Sequence, residues 1–252
     1  MVDVPLLSAN DRKWRGFRFR LPQRFPWKKG VDLMQILIGD TSEKRIKRIC
    51  QETGMGRMVA QNWPDLYEGE PWGFDNGAWG FKDLPGGFDE KTFVNRLQKA
   101  VGKYKRPYLA VCPDIVAGGM KSLEFSMKWF YQLPEWPWYL AVQDGMEVVA
   151  VMEVIDQFAG IFLGGTDEYK RYAGYWCQLA HHCGKKFHYG RAGTLNKLAH
   201  AIMVKADSLD SAFPLWTKNR LFSFIQAISQ QHFDLTIFAP HPERGQGSLV
   251  QI

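Results

Sequence analysis

Long apolar runs are missing from this sequence: nothing in its 252 residues approaches the about 20 consecutive apolar residues that span a bilayer. The opening MVDVPLLSANDRKWRG has no apolar stretch between a basic start and a small-residue cleavage site, so a soluble, cytoplasmic protein without a membrane partner is expected. Cysteine is scarce. Cys50, Cys112, Cys177 and Cys183 form no CxxC pair, which argues against a disulfide framework and fits a reducing compartment. Cys177 and His181 stand four residues apart with Cys183 just beyond. YWCQLAHHCGKK offers no clear fourth ligand, however, and reads as a buried helix face, so no metal is expected. Gly54, Gly56, Gly118 and Gly119 have neither the GxGxxG nor the Walker spacing, and no nucleotide cofactor is indicated. Repeats, low-complexity tracts and linkers are absent as well. Acidic residues are outnumbered, 26 against 32 Lys and Arg, and the net charge of +6 favours a polyanionic partner.

Part of that charge is concentrated. Residues 11–29, DRKWRGFRFRLPQRFPWKK, interleave Arg15, Arg18, Arg20 and five further cations with Trp14, Phe17, Phe19, Phe25 and Trp27. Cations that displace counterions and rings that stack on bases suit a nucleic-acid groove. The same composition also suits an N-terminal segment that closes the floor of a barrel and leaves its cations in water. Residues 1–30 are read as this arm and 31–252 as the main domain.

Beyond the arm, strand-like runs alternate with helical periodicity. LMQILIG, RMVAQ, PYLAVC, WYLAVQ, GIFLGG, KFHYG and ADSLD read as seven strands, with DLTIF near the C-terminus as a loosely placed eighth. Between them SEKRIKRICQET, KTFVNRLQKAVGKY, SLEFSMKWFYQL, MEVVAVMEVIDQF, EYKRYAGYWCQLAHH and TLNKLAHAIMVK carry apolar residues at helical spacing. Alternation of this kind predicts a parallel sheet, here a single (β/α)8 TIM-like barrel, with a doubly wound open sheet as the alternative. The apolar 46% and the length suit one large core. Trp129, Trp136 and Trp138 are expected in that core or its wall rather than as base-stacking platforms.

A barrel of this type builds its site where the strands end, and the ends are consistently polar. They are Gly39-Asp40, Phe74-Asp75-Asn76-Gly77, Pro113-Asp114, Gln143-Asp144-Gly145, Gly164-Gly165-Thr166, Gly190-Arg191 and Asp207-Ser208-Leu209-Asp210. Any one of them alone is better read as a cap or turn, and Asp40 before Thr41-Ser42-Glu43 is expected to cap the first helix. Their joint placement at one mouth points to function.

The segment Lys186–Pro214, KFHYGRAGTLNKLAHAIMVKADSLDSAFP, resembles the closing part of the tRNA-guanine transglycosylase barrel, and Asp210 falls on that family's nucleophilic aspartate. Phe74-Asp75-Asn76-Gly77-Ala78 resembles its Asp-Ser-Gly-Gly turn, Asp114 its base-reading aspartate and Val142-Gln143-Asp144-Gly145 its Val-Gln-Gly-Gly turn. Gly164-Gly165 falls near its base-contacting glycines. Five motifs in order span residues 74–214, more than half of the chain. The three cysteines and histidine that hold zinc after the nucleophile in the tRNA enzymes have no counterpart, since no cysteine follows Cys183. The resemblance is therefore closer to small relatives, including phage-type enzymes that exchange guanine for 7-deazaguanine in DNA.

The resemblance implies that Asp210 and Asp75 are catalytic and that Asp114, Gln143, Gly164 and Gly165 bind the base. Arg191 is a candidate phosphate ligand, with a capping or salt-bridged arginine as its bland reading. Loss of a base leaves oxocarbenium character at the anomeric carbon, which a carboxylate such as Asp210 stabilises or traps, while a second acid such as Asp75 relays a proton. Asp114 accepting from, and Gln143 donating to, a guanine-like edge would exclude adenine. The expected partners are nucleic acid, DNA first, and a free 7-deazaguanine base. Exchange of the base, hydrolysis to an abasic site and binding without catalysis are the three functional outcomes held open.

Overall fold

The computed structural model describes residues 34–230, so the basic arm and DLTIF lie outside the described residues. The order is β1 (Gln35–Ile38), α1 (Lys44–Thr53), β2 (Gly56–Val59), β3 (Trp72–Phe74), α2 (Ala78–Phe81), α3 (Glu90–Lys103), β4 (Leu109–Val111), α4 (Met120–Phe130), β5 (Trp138–Val142), α5 (Val148–Val154), β6 (Gly160–Leu163), α6 (Ala173–His182), β7 (Lys186–Tyr189), α7 (Leu195–Met203), β8 (Ser208–Ser211), α8 (Phe213–Trp216) and α9 (Lys218–Gln230). Every neighbouring pair is parallel, and β8 pairs with β1 in register Leu37↔Asp210, which closes an eight-stranded (β/α)8 barrel. No helix among the described residues is long and apolar enough to cross a membrane.

Seven expected strands and all six expected helical stretches are present. The eighth strand is Trp72–Phe74, in a stretch that reads from sequence as a loop; the barrel closes through it and does not need DLTIF. Three residues with glycine in the middle leave no periodicity to detect, and the strand exists because β2 and β4 offer partners on both sides, Met58↔Gly73 and Gly73↔Leu109. Gly73 faces the barrel axis, where a Cβ would collide with the Met58 sulfur and come within 2.8 Å of Leu37.

Strand alternation sorts the side chains into two cores. Leu37, Met58, Leu109, Val111, Tyr139 and Ala141, with Phe162 against them, fill the lower barrel interior. The outward residues meet the helices in a larger cluster rich in aromatics, where Phe74 packs edge-on to Phe93, Trp136 and Trp138, and Phe93 to Trp129. The tryptophans are wall residues, as expected. Burying a side chain such as Phe93 removes it fully from water and contributes on the order of 2–3 kcal/mol.

Two polar anchors hold the long β2–β3 connection. Arg57, on the outer face of β2, forms a two-pronged buried pair with Glu70, 2.6 Å from Nε to Oε1 and 2.7 Å from Nη2 to Oε2, and donates to the Asp65 carbonyl at 2.9 Å. Asp40 does not cap α1: the residue at that helix's N-cap is Glu43, which makes no side-chain cap. Instead Asp40 Oδ2 accepts the amides of Ala60, Gln61 and Asn62, fixing the turn after β2. Three converging N–H groups outcompete one local cap.

Candidate active site

The C-terminal strand ends converge as expected. One cavity of about 70 Å³ is lined by Asp75, Asn76, Asp114, Gln143, Gly164, Gly165, Arg191 and Asp210, together with Trp79, Phe162 and four small or apolar side chains. It shares Trp79, Val116, Gly165 and Arg191 with a wider cleft of about 720 Å³, whose lining includes Lys82, Lys170 and Lys197 beside Asp83, Asp144 and Asp167. All the catalytic and base-binding candidates therefore face one space. Arg15, Arg18 and Arg20 lie outside the described residues.

Asp210 points inward from β8. Its Oδ1 takes two hydrogen bonds, from the Arg191 amide at 2.9 Å and with Nε2 of His188 at 3.0 Å. Burial pushes its carboxyl up, but the His188 hydrogen bond, the Arg191 amide and nearby Lys170 outweigh that and hold it below the ordinary aspartate range. His188 is completely buried on β7, stacks on Phe162 with ring centroids 4.9 Å apart, and reaches Ser208 Oγ with Nδ1 at 2.8 Å.

Asp75 lies across the mouth at the end of β3. Its Oδ1 accepts from the Gly77 amide at 2.7 Å, an Asx turn that glycine permits, with φ at 78° and no room for a Cβ beside Arg96. Burial, only partly countered by that hydrogen bond, and then the charge of Asp210 raise the Asp75 carboxyl to about 6. The two aspartates are thus driven in opposite directions, one held ionised and the other poised near neutrality.

Asp114 sits deeper. Its Oδ1 accepts from Asn76 Nδ2 at 2.6 Å and its Oδ2 from Gln143 Nε2 at 3.3 Å, while burial first and the charge of Asp75 raise it to about 6. Gln143 lines the cavity, yet its amide is spoken for by the protein. Nε2 also donates to the Ile115 carbonyl at 2.9 Å and Ser122 Oγ at 2.8 Å, and Oε1 accepts from the Ala117 amide at 2.6 Å. In this state Gln143 fixes Asp114 and the loop after β4 rather than presenting a free donor to a base edge. Asn76 belongs to the same network through the Cys112 carbonyl at 2.7 Å.

The β6 loop is shaped by Asp144, which accepts from the Thr166 amide at 2.8 Å and hydroxyl at 2.7 Å. Gly165 has φ of 74°, and a Cβ there would meet Asp144 at 2.7 Å. Arg191 donates to the Gly165 carbonyl at 3.1 Å and lays its guanidinium over Trp79 at 4.0 Å. Lys170 is buried beneath this rim, donates to the Gly190 carbonyl and lies over the Tyr189 ring; burial and then Arg191 bring it down to about 7. Asp207 stands at the opposite end of β8 and binds Lys186 Nζ, the Phe187 amide and His181 Nε2, each at 2.8 Å. Cys177 lies 3.8 Å from His181 Nδ1, and among the described residues no group of three or more His, Cys, Asp or Glu side chains could hold a metal.

His188, Asn76, Lys170 and Trp79 are not singled out as site residues by the sequence. A signal exists for His188, a lone polar ring in the strand run KFHYG at the parity that faces inward. The step from there to Asp210 needs the β7–β8 register His188↔Ser208.

No family model matches the sequence, and no curated protein matches it. Among solved structures the chain is similar to a 4-hydroxy-2-oxoglutarate aldolase/2-deydro-3-deoxyphosphogluconate aldolase from TTHB1, at 10% identity and a TM-score of 0.44, over 79% of this chain and 94% of that one. A likeness this distant says nothing about chemistry, which has to come from the site's own residues.

Proposed function

We propose that this barrel is an enzyme that cleaves the N-glycosidic bond of a nucleotide within nucleic acid, DNA first, and exchanges guanine for a 7-deazaguanine base. The observation that carries the reading is the pair Asp210 and Asp75 facing one cavity with their proton affinities pushed apart. The resemblance to tRNA-guanine transglycosylases supports the same roles for the same residues. Asp210, ionised, faces the anomeric carbon and stabilises or traps the cation as the base departs. Asp75, near neutrality, gives a proton to the leaving base and takes one from its replacement. Asp114, held by Asn76 and Gln143, meets the polar edge of a guanine-like ring, and the Gly164–Gly165 backbone lies against it. Arg191 and two lysines of the wider cleft, exposed Lys82 and half-buried Lys197, suit the phosphates on either side.

Hydrolysis is the second reading, and one observation favours it. Once the base has left, its place is open to water through the adjoining cleft of about 720 Å³.

Incubating the protein with DNA, and in parallel with RNA, with and without a free 7-deazaguanine base separates the outcomes by nucleoside mass spectrometry and an abasic-site assay. Incorporation that depends on the free base is expected. Abasic sites alone would establish hydrolysis, and tight binding with neither product would make the protein a binding module.

A further inference from the structure

Both hydrogen bonds to the Asp210 carboxylate land on one oxygen. Oδ1 is met by the Arg191 amide at 2.9 Å and by His188 Nε2 at 3.0 Å, and no hydrogen bond to Oδ2 is found among the described residues. Arg191 can aim its amide this way because it sits in the left-handed region, at φ of 53°, an uncommon state for a side-chain-bearing residue. His188 is fixed on three sides: it is completely buried, stacked on Phe162, and held at Nδ1 by Ser208 Oγ at 2.8 Å. A serine hydroxyl can donate to Nδ1, which leaves the ring proton on Nε2 and directed at Asp210.

We propose that His188 is a positioning residue which, with the Arg191 amide, forms a two-donor hole for Oδ1 and so makes Oδ2 the oxygen that meets the anomeric carbon. The inference rests on the proposed glycosidic chemistry for its catalytic consequence, but its atomic content stands apart from it. In the first step Oδ2 bonds to C1′ as the C1′–N bond breaks, and the departing base leaves with its electron pair and a proton from Asp75. Oδ1 is then the carbonyl oxygen of a glycosyl ester. In the second step the incoming nitrogen, or water, bonds to C1′ and gives its proton to Asp75, the C1′–Oδ2 bond breaks, and its electron pair returns to the carboxylate. Negative charge leaves the carboxylate in the first step and returns in the second. Donors fixed on Oδ1 therefore assist the return most, by making Asp210 a better leaving group.

Two measurements test this. In protein labelled with ¹⁵N-histidine, long-range proton–nitrogen spectra should show a protonated His188 Nε2 whose signal moves in Asp210→Asn. A His188 with its proton on Nδ1 alone would overturn the proposal, with or without activity. In kinetics, His188→Leu should lower kcat roughly 100-fold, the usual effect of losing one such donor, with the covalent ester accumulating, KM falling as it does so, and the affinity for nucleic acid unchanged. His188→Gln, whose amide can reach the Nε2 position, should regain most of the rate. Thermal melting of both variants identifies a simple folding defect, and a folded His188→Leu turning over at the wild-type rate would overturn the proposal. If the wild-type protein releases no base from DNA or RNA while the Nε2 proton is present and sensitive to Asp210, the glycosidic reading fails and the assignment of Oδ2 as the free oxygen stands.

Discussion

The same carboxylate does two different things in Asp210 and Asp75 because their partners differ. Two donors and a nearby lysine keep Asp210 charged, whereas Asp75 has one backbone amide and a negative neighbour. Asp210→Ala is expected to abolish base release in a protein that still melts cooperatively and binds nucleic acid, since it removes charge needed only as the cation develops. A folded Asp210→Ala protein that still released base at the normal rate would remove the centre of the mechanism. Asp75 carries a consequence for stability. Its carboxyl is raised from 3.8 to about 6 in the folded state, so folding favours the protonated form; that stability is present at low pH and lost as pH rises through about 6. Asp75→Asn keeps an acceptor for Gly77 without the charge. It should stabilise the protein at pH 8 by on the order of 2 kcal/mol, about 5 °C in Tm, with little gain at about pH 3.5, below the unfolded-state value, while activity is lost. An equal Tm change at both pH values would show that Asp75 is not held near neutrality.

Among the elements, the β2–β3 connection depends on one buried ion pair. Arg57 and Glu70 are both almost fully enclosed. Glu70→Ala should therefore destabilise the fold by about 3–5 kcal/mol, the cost of an uncompensated buried charge, whereas replacing both residues by apolar side chains should cost much less. Chemical denaturation of the single and double variants checks this, and equal losses in both would refute it. Asp207 does comparable work at the barrel floor, tying β7 to the start of β8 through two hydrogen bonds and α6 through a third, which explains why of two aspartates three residues apart only Asp210 reaches the mouth. Six of the helices are legible in the sequence because each offers about two turns of periodicity or more, whereas the one-turn α2 and α8 leave nothing to detect and α9 falls outside the stretches read as helical. Trp72–Phe74 is not, because a three-residue strand is defined by its neighbours. Asp40 misleads for the same reason: a cap is a local inference, and its real partners are 20 to 22 residues away.

For the whole molecule, the arm and the barrel are expected to make separable contributions. Replacing Arg15, Arg18 and Arg20 by alanine should weaken nucleic-acid binding and flatten its salt dependence by about one unit of slope for each phosphate no longer neutralised, while leaving the rate at saturating substrate close to that of the wild type. Titrations at several salt concentrations measure this, and an unchanged slope would assign the arm to the barrel rather than to the ligand.

The sequence by itself determined the alternating elements, the parallel sheet, and the inward or outward parity of each strand residue, because periods of 2 and 3.6 are properties of the backbone alone. It also placed the polar strand ends, so Asp75, Asp114, Gln143, Gly164, Gly165, Arg191 and Asp210 stand out as a set in the chain, and all line one cavity. Only the tertiary structure decided what those groups are free to do. That Gln143 is bound up with Asp114, that Arg191 turns its amide to Asp210, and that His188 claims the same oxygen follow from closing β7 against β8 and loop against loop. Hydrogen bonds between residues 19 to 29 positions apart are set by register and packing, and no local pattern in the chain encodes them.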